Sequence, residues 1–416
     1  MTLPLVVLGS VIVLIAVRQV GGLRLQIWQI MLAGAAGMLL TGSIGPRDAV
    51  EAVDLDVMLF LAGMFVLGRA LEDSGVLADL SFRLFSRATT SSALMALVVA
   101  GSGIASAVLM NDTVAIVGVP VVVALARSHS LDARPLLLGL AFGVTAGSVV
   151  SPNGNPQNLL VALDLDVNGA GNPFMAFARW LAIPTAIALA LTYAALRLAA
   201  REDPRALAPL APTPPARGGL ARASRIALGL LLALIALRVA LVGVESVPDV
   251  RLTVVALVPA GFVLLASRER VSVLRGVDWQ TLLFFAALFV VVEAVDTAGV
   301  TAEVVGRLGE RVDNTATILG ISAALSQLVS NVPLVALYLP ALDEVNAGAE
   351  AYLALAAGST LAGNLTLIGA ASNVIVVDVA ERRFGVSIGF WEFTRIGVPL
   401  ALAQLAATWA WLALVS

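Results

Sequence analysis

The 416-residue chain has no cysteine, no lysine and a single histidine, and only 13% of its residues are charged. Without cysteine there can be no disulfide and no thiolate metal site, and the redox compartment leaves no trace. The one histidine, His129, stands in the polar stretch RSHSLDAR and reads as a solvated loop residue. No acidic cluster has ligand or nucleophile spacing, so a metalloenzyme or a triad hydrolase has no residues to build on, and no cofactor is expected. All 25 basic side chains are arginine, which reflects genome composition rather than phosphate recognition, and a net charge of −3 gives no ground for a nucleic-acid partner.

What is present is apolar. The chain is 59% hydrophobic with a mean hydropathy of +0.97, whereas soluble proteins carry about 25% charged residues. Stretches near the roughly 20 residues that cross a bilayer core recur from end to end, with no room for a soluble domain between them. The first, Leu3 to Val17, lacks a preceding basic residue and a small-residue cleavage site and is read as a retained helix, not a signal peptide.

The polar residues gather in a few places. Ser151 to Leu160, SPNGNPQNLL, packs two prolines, a glycine and three asparagines between apolar runs. Thr366 to Ile375, TLIGAASNVI, echoes it: laying Ser151 on Thr366 matches Gly154 to Gly369 and Asn158 to Asn373. Proline and glycine break helices, and freed backbone groups survive at membrane depth only against protein or a wet cavity. Two further runs, 92–127 and 315–342, are apolar on both sides of Asn111-Asp112 and of Ser330-Asn331, which suits re-entrant hairpins with polar tips.

These features divide the chain into a first repeat, 1–200, with hairpin 92–127 and broken helix 136–163, and a second, 226–416, with hairpin 315–342 and broken helix 352–379. The Pro-, Ala- and Arg-rich stretch 201–225 reads as a solvent-exposed linker. VDLDVMLFLAGMFVLGRALEDSGV from Val53 aligns with VDWQTLLFFAALFVVVEAVDTAGV from Val277, Asn111 matches Asn331, and Pro120 and Pro340 lie equally far downstream. Five crossings per repeat, an odd number, require the repeats to insert upside down relative to one another. The expected fold is therefore an all-α polytopic membrane protein of two inverted five-helix repeats.

Arginine sets the orientation. With the linker cytoplasmic, Arg18, Arg24, Arg83, Arg87, Arg127, Arg134, Arg268, Arg270, Arg275, Arg382 and Arg383 fall inside, against Arg47, Arg179, Arg238, Arg251, Arg307 and Arg311 outside. Both termini are then extracytoplasmic and the first hairpin enters from the cytoplasm. Arg69 and Glu293, a charge-swapped pair in the repeat, are read as interfacial side chains reaching for water.

Inverted repeats, each with a hairpin ending in an Asn motif and a broken helix holding a Gly and Asn cluster, resemble the ion transporter superfamily over essentially the whole chain. That superfamily includes divalent-anion:sodium symporters, citrate-transporter-like permeases, NhaD-type sodium/proton antiporters and arsenite permeases. Its symporters carry Ser-Asn-Thr at the tips; here the tips read Met110-Asn111-Asp112-Thr113 and Ser330-Asn331-Val332-Pro333. The first tip is similar to arsenite permeases, and Gly363 to Asn373 resembles the wider anion permeases. The resemblance implies inner-membrane secondary transport of a small anion or oxyanion coupled to H⁺ or Na⁺, by an elevator-like motion of hairpins and broken helices against the first two helices of each repeat. It also implies a homodimer at that scaffold, and a partner ATPase only in the arsenite-permease case.

The residues agree with such a site. Helices starting after Asn111 and Asn331 present unpaired N–H groups and a positive dipole end, which attract anions. Free carbonyls before them, with Ser148, Ser151, Asn153, Asn364 and Thr366, offer oxygens to a hard cation such as Na⁺. Two Na⁺ positions are expected, near Asn111, Ser148 and Gly154 and near Asn331, Asn364 and Gly369, with Thr113, Asn155, Asn158, Ser330, Ser372 and Asn373 completing the candidate set. The competing reading is that these residues merely cap broken helices.

Asp112 stands apart. A charged Asp at mid-helix costs about 2.5 to 3.5 kcal/mol on insertion scales, so intramembrane carboxylates belong to proton or ion pathways. It is the candidate proton-coupling residue, with helix capping as the plainer role. No arginine lies in either binding stretch. An ionised Asp112 would repel an anion, so the alternatives are a proton-coupled anion carrier, export of a neutral oxyacid such as arsenite, or a cation/proton antiporter. A gated channel would need a continuous polar pathway that the flanking apolar helices do not offer.

Overall fold

The structure, a computed structural model, describes residues 2–17, 19–20, 23–24, 26–167, 172–200, 205–208, 216, 218–240, 251–300, 303, 306–307 and 309–415. These form 19 α-helices, two 3₁₀ turns and one two-residue β-ribbon, Gln19–Val20 antiparallel to Leu23–Arg24, so the all-α expectation holds.

In chain order the first set is α1 (Thr2–Val17), α2 (Ile27–Leu40), α3 (Pro46–Glu51), α4 (Leu55–Asp73), α5 (Val76–Phe85), α6 (Ser91–Val108), α7 (Asn111–Ser128), α8 (Ala133–Ser148), α9 (Pro156–Val167) and α10 (Pro173–Ala200). The second is α11 (Gly219–Ala240), α12 (Leu252–Ala266), α13 (Arg270–Arg275), α14 (Trp279–Thr297), α15 (Thr315–Val329), α16 (Asn331–Glu344), α17 (Ala349–Ala362), α18 (Ala371–Phe384) and α19 (Phe390–Val415). The short helices α3 and α13 occupy equal places between crossings. Matched letters take matched conformations: Asp54 and Asp278 are N-caps accepting from Val57 N and Thr281 N, and Gly75 and Gly299 turn the chain with φ of 69° and 76°.

Six described helices, α6, α7, α10, α11, α14 and α19, are long and apolar enough to cross a membrane by length and composition. Helices α1, α2 and α12 are apolar but shorter. Helix α4 has the length but carries Asp56, Arg69, Glu72 and Asp73. Its Arg69 pairs with Asp73 at 2.7 Å on its own helix.

The broken helices lie at the centre. In α8 every residue from Leu136 to Ser148 is buried, and in α17 every residue from Ala351 to Ala362. A helix apolar all round has no face to give to water. The hairpin arms press against them through a shared seam of small residues. A side chain at Gly143 would meet Ser102 Oγ at 2.6 Å, and one at Gly358 would meet Ser322 Oγ at 2.9 Å. Ser106 Oγ donates to Val144 O at 2.7 Å across the first seam, and Ser326 holds the corresponding place in the second. Across the repeats, α4 packs on α12, α2 on α14, α7 on α18 and α9 on α16.

The expected linker needs a correction at its end. Helix α11 begins at Gly219, inside that stretch, because the proline and glycine run stops there and Leu220, Ala221 and Ser224 are buried, with Ser224 Oγ donating to Ala70 O of α4 at 3.1 Å. Near its start, Arg205 to Leu207 pair with Thr89 to Ser91 through Ser91 N to Arg205 O and Leu207 N to Thr89 O. Residues 201–204, 209–215 and 217 of the linker, like Arg18 and Ser416, lie outside the described residues.

Candidate functional site

Each break is held at its middle by its hairpin. The amide of Asn111 donates to Gly154 O at 2.9 Å, joining the first tip to the first break. Helix α8, about 24 Å long, ends just before that junction and α9, about 18 Å long, starts just after it, at 1.5 Å per residue. Each arm of this hairpin, at 18 residues, is long enough to cross a membrane on its own. At the second tip Ser330 takes φ 77° and ψ 156°, a region held almost only by glycine, and Asn331 Nδ2 sits 3.3 Å from where a side chain at Gly363 would be.

Both tips and both breaks face one cavity of about 700 Å³, lined by Asn111, Asp112, Pro156, Gln157, Ser330, Asn331, Ala370 and Ala371, with Asp278, Asp378 and Arg382 also in its wall. Four helices, α7, α9, α16 and α18, begin at Asn111, Pro156, Asn331 and Ala371, all on that wall. Arg382 is paired with Asp378 at 2.7 Å. Asp112 is half-buried in the first turn of α7, and Asn111 Oδ1 accepts its amide at 2.9 Å.

The breaks themselves are knitted by side chains in an equivalent way. Asn158 Nδ2 donates to Ser148 O at 2.9 Å and Ser151 O at 3.0 Å; Asn373 Nδ2 donates to Gly363 O at 2.9 Å, the position equivalent to Ser148. A side chain at Gly154 would collide with the Ser148 carbonyl, and one at Gly369 with that of Gly363, 2.7 Å away. Asn155 Oδ1 accepts from Asn158 N at 2.9 Å as the N-cap of α9, while its Nδ2 reaches Ser148 Oγ at 2.9 Å. Ser151 Oγ accepts from Asn153 N at 3.2 Å. Thr366 Oγ1 donates to Gln327 Oε1 at 2.7 Å, and Asn364 Nδ2 to Gln404 Oε1 at 3.2 Å.

The sixteen expected site residues thus separate into two groups. Asn111, Asp112, Ser330 and Asn331 line the cavity. The others are not in its wall; Thr113 Oγ1 packs on Gly68 of α4, and the side chains of Ser148, Ser151, Asn155, Asn158 and Asn373 hold backbone. Among the described residues, three buried side-chain amides keep atoms without a partner: both polar atoms of Asn153, and Oδ1 of Asn331 and of Asn364.

Several participants escaped the sequence reading. Thr145, Thr360, Gln327 and Gln404 sit in apolar runs, Gln157 stands in the polar cluster between two better-marked residues, Pro156 and Asn158, and Asp278 stands at the start of a crossing. The signal for the two threonines was available: the shift that lays Ser151 on Thr366 lays Thr145 on Thr360.

A family model described as "Citrate transporter" matches residues 11–356, a span that holds both hairpins and the first break and stops short of the second. An uncharacterised transporter of Mycobacterium bovis is 30% identical over 94% of each chain. The silicon efflux transporter of Oryza sativa subsp. japonica is 28% identical over 90% of each. The YdaH transporter of Alcanivorax borkumensis superposes with a TM-score of 0.61 over 90% of this chain and 86% of that one, at 17% identity, a likeness of fold alone.

Proposed function

The chain belongs to the citrate transporter family and is a multi-pass membrane transporter; from that premise we propose that it is a secondary active transporter of a small anion or oxyacid, coupled to H⁺ or Na⁺. The observation that carries the substrate class is the convergence of four helix N-termini on one cavity. Each brings the positive pole of a helix, which holds carboxylates and oxyanions without any arginine, although in α7 and α9 the amides of Asn111, Asp112 and Asn158 are taken by Gly154 O, Asn111 Oδ1 and Asn155 Oδ1. The wall's one guanidinium, Arg382, is already paired with Asp378.

Asp112 gives the proton its place in this scheme. Ionised, it answers the pole of α7 itself and opposes an anion; neutral, it leaves that pole to the substrate. For Na⁺, the partnerless oxygens of Asn331 and Asn364 favour a position in the second repeat. In the first, Asn111 Oδ1 and Ser148 Oγ are already engaged by protein N–H groups. The three carboxylates of the wall, Asp112, Asp278 and Asp378, are the observation that favours the second reading, a Na⁺/H⁺ antiporter.

The repeats are inverted in this scheme. Hairpins and broken helices form the moving unit, and α1, α2, α11 and α12 a scaffold at a homodimer interface. In the proposed orientation the cavity opens to the cytoplasm, its wall including Arg382 and, near Arg24 and Arg275 in sequence, Gln26 and Asp278.

The test is flux into proteoliposomes under imposed pH and Na⁺ gradients. The panel is citrate, succinate, sulfate, arsenite, silicic acid and Na⁺, with silicon included because of the rice relative's name. Saturable, gradient-coupled uptake of one of the anions or oxyacids is expected. Asn111→Ala and Asn331→Ala should abolish it while leaving a folded protein, since a neutral hydrogen bond contributes about 1 kcal/mol net. Normal transport by both variants, or Na⁺ as the only moving species, sinks this reading.

A further inference from the structure

The two breaks are joined to each other, and the joint is uneven. Thr360, on α17 of the second repeat, sends its hydroxyl into the first turn of α9. It donates to Asn158 Oδ1 at 3.2 Å and accepts from Asn155 Nδ2 at 3.2 Å and Gln157 Nε2 at 3.3 Å. A hydroxyl has one hydrogen and two lone pairs, so all its bonding capacity is used. Its three partners are the N-cap, second and third residues of α9, and Gln157 stands in the cavity wall.

Thr145, its counterpart on α8, points the same way into the first turn of α18 but holds less. Its Oγ1 lies 3.1 Å from Ala141 O and only 3.4 Å from both Ser372 Oγ and Asn373 Oδ1. Its single hydrogen can serve Ala141 O or Asn373 Oδ1, not both. The reason is in the letters. Where α9 has Asn155 and Gln157, α18 has Ala370 and Ser372, so one cap cannot reach and the other side chain is shorter.

We infer that Thr360 is a positioning residue that sets the cavity-facing end of α9 from the opposite repeat, so that the second break and the substrate-facing pole of the first move as one body. The inference rests on the transport reading given above. Thr360 lies four residues before Asn364, whose Oδ1 is free to take a cation. Ion occupancy of the second break is thereby transmitted to the substrate pole through one hydroxyl, while Thr145 passes little in the other direction.

The experiment compares Thr360→Val, Thr360→Ser and Thr145→Val in proteoliposomes, with hydrogen exchange on the purified proteins. Thr360→Val keeps shape and removes all three bonds. It should raise substrate KM about 10-fold, the size of one or two hydrogen bonds, and blunt the dependence of KM on the coupling ion while Vmax changes less. Thr360→Ser should restore both, and Thr145→Val should shift KM less than about 3-fold. Amides of residues 156–160 should exchange faster in Thr360→Val than in wild type. Where Val at 360 lowers expression, Thr360→Ala gives the same reading, being smaller and free of clashes. Wild-type KM and wild-type exchange in the folded Val or Ala variant overturns the inference, as does a Ser variant as impaired as Val, which would assign the effect to packing of the methyl group. If wild-type protein itself shows no saturable flux the transport reading fails, and the exchange of residues 156–160 still decides the role of Thr360.

Discussion

Replacing Gly154 by alanine adds one methyl group at the place where the first break is tightest. That methyl would fall on the carbonyl oxygen, Cα and carbonyl carbon of Ser148, all backbone atoms at the end of α8. No side chain can swing away to make room. Gly154 is not among the residues with left-handed backbone, so the cost comes from close approach and not from conformation. Moving the Ser148 carbonyl also pulls it from Asn158 Nδ2, a bond of 2.9 Å between fully buried groups.

Overpacking costs about 1–3 kcal/mol, and leaving the buried Ser148 carbonyl unmatched about 1–3 kcal/mol more, for roughly 2–6 kcal/mol in all. Two other glycines set the scale. At Gly369 the methyl would meet one backbone oxygen, Gly363 O at 2.7 Å, and the flexible side chain of Gln327 at 3.0 Å, so about 1–3 kcal/mol is expected. At Gly229, in α11, nothing lies within 4 Å, and alanine gains about 0.5–1 kcal/mol of helix propensity. The assay is the apparent unfolding midpoint in detergent at one fixed heating rate, since unfolding of such a protein is commonly irreversible. With about 1–2 °C per kcal/mol by extrapolation to this chain length, Gly154→Ala should fall by about 2–12 °C, Gly369→Ala by less, and Gly229→Ala not at all. A wild-type midpoint for Gly154→Ala, or a larger loss at Gly229, would refute the claim that the break is set by this contact.

Asp112→Asn keeps the size and much of the capping ability of the residue. It should still bind and exchange substrate but no longer accumulate it in response to a pH gradient, and full pH-driven accumulation would reduce Asp112 to a cap. At the mouth of α8, Asp132 accepts from Arg134 N at 3.0 Å as the N-cap, and the Arg134 guanidinium beside it holds its carboxyl below the ordinary carboxylate range. Asp132→Ala should therefore lower the midpoint by the worth of one cap, about 1 kcal/mol. The loss is present in full above the unfolded carboxyl value of about 3.9 and shrinks as pH falls through the lower folded value; a gap that widens on acidification contradicts the assignment. Because the chain has no cysteine, single cysteines at Thr213 and Ser416 report topology. An impermeant thiol reagent applied to whole cells should label the second and spare the first, and the reverse pattern overturns the orientation.

The sequence made the ends of helices readable because ends need particular letters. Asp54 and Asp278 cap, Gly75 and Gly299 turn through positive φ, and the prolines and asparagines at 151–158 stop α8 where it stops. What the letters at an end do not say is which partner they face. The buried small residues of the α6–α8 and α15–α17 seams, and Thr145 and Thr360 inside apolar runs, have roles only when a second helix is laid beside them. Asp278 joins the cavity wall because α14 packs against α2 and α16, a fact of tertiary contact with no local signature.

The same reasoning explains why so many expected site residues turned out to hold backbone. Each break frees carbonyls at the end of one helix and amides at the start of the next, in a place without bulk water. Leaving one buried and unmatched costs about 1–3 kcal/mol. Asn158 and Asn373 each satisfy those carbonyls with a side-chain amide, and Asn155 caps the amides of α9. An asparagine bonded in this way has little left to offer a substrate. The tips turn within a residue or two and free fewer groups: Asn111 Oδ1 caps the Asp112 amide, and otherwise Asn111, Asp112, Ser330 and Asn331 are left to face the cavity. Substitutions that alter which ion or oxyacid is carried should therefore fall at the tips, and substitutions in the breaks should alter every substrate alike.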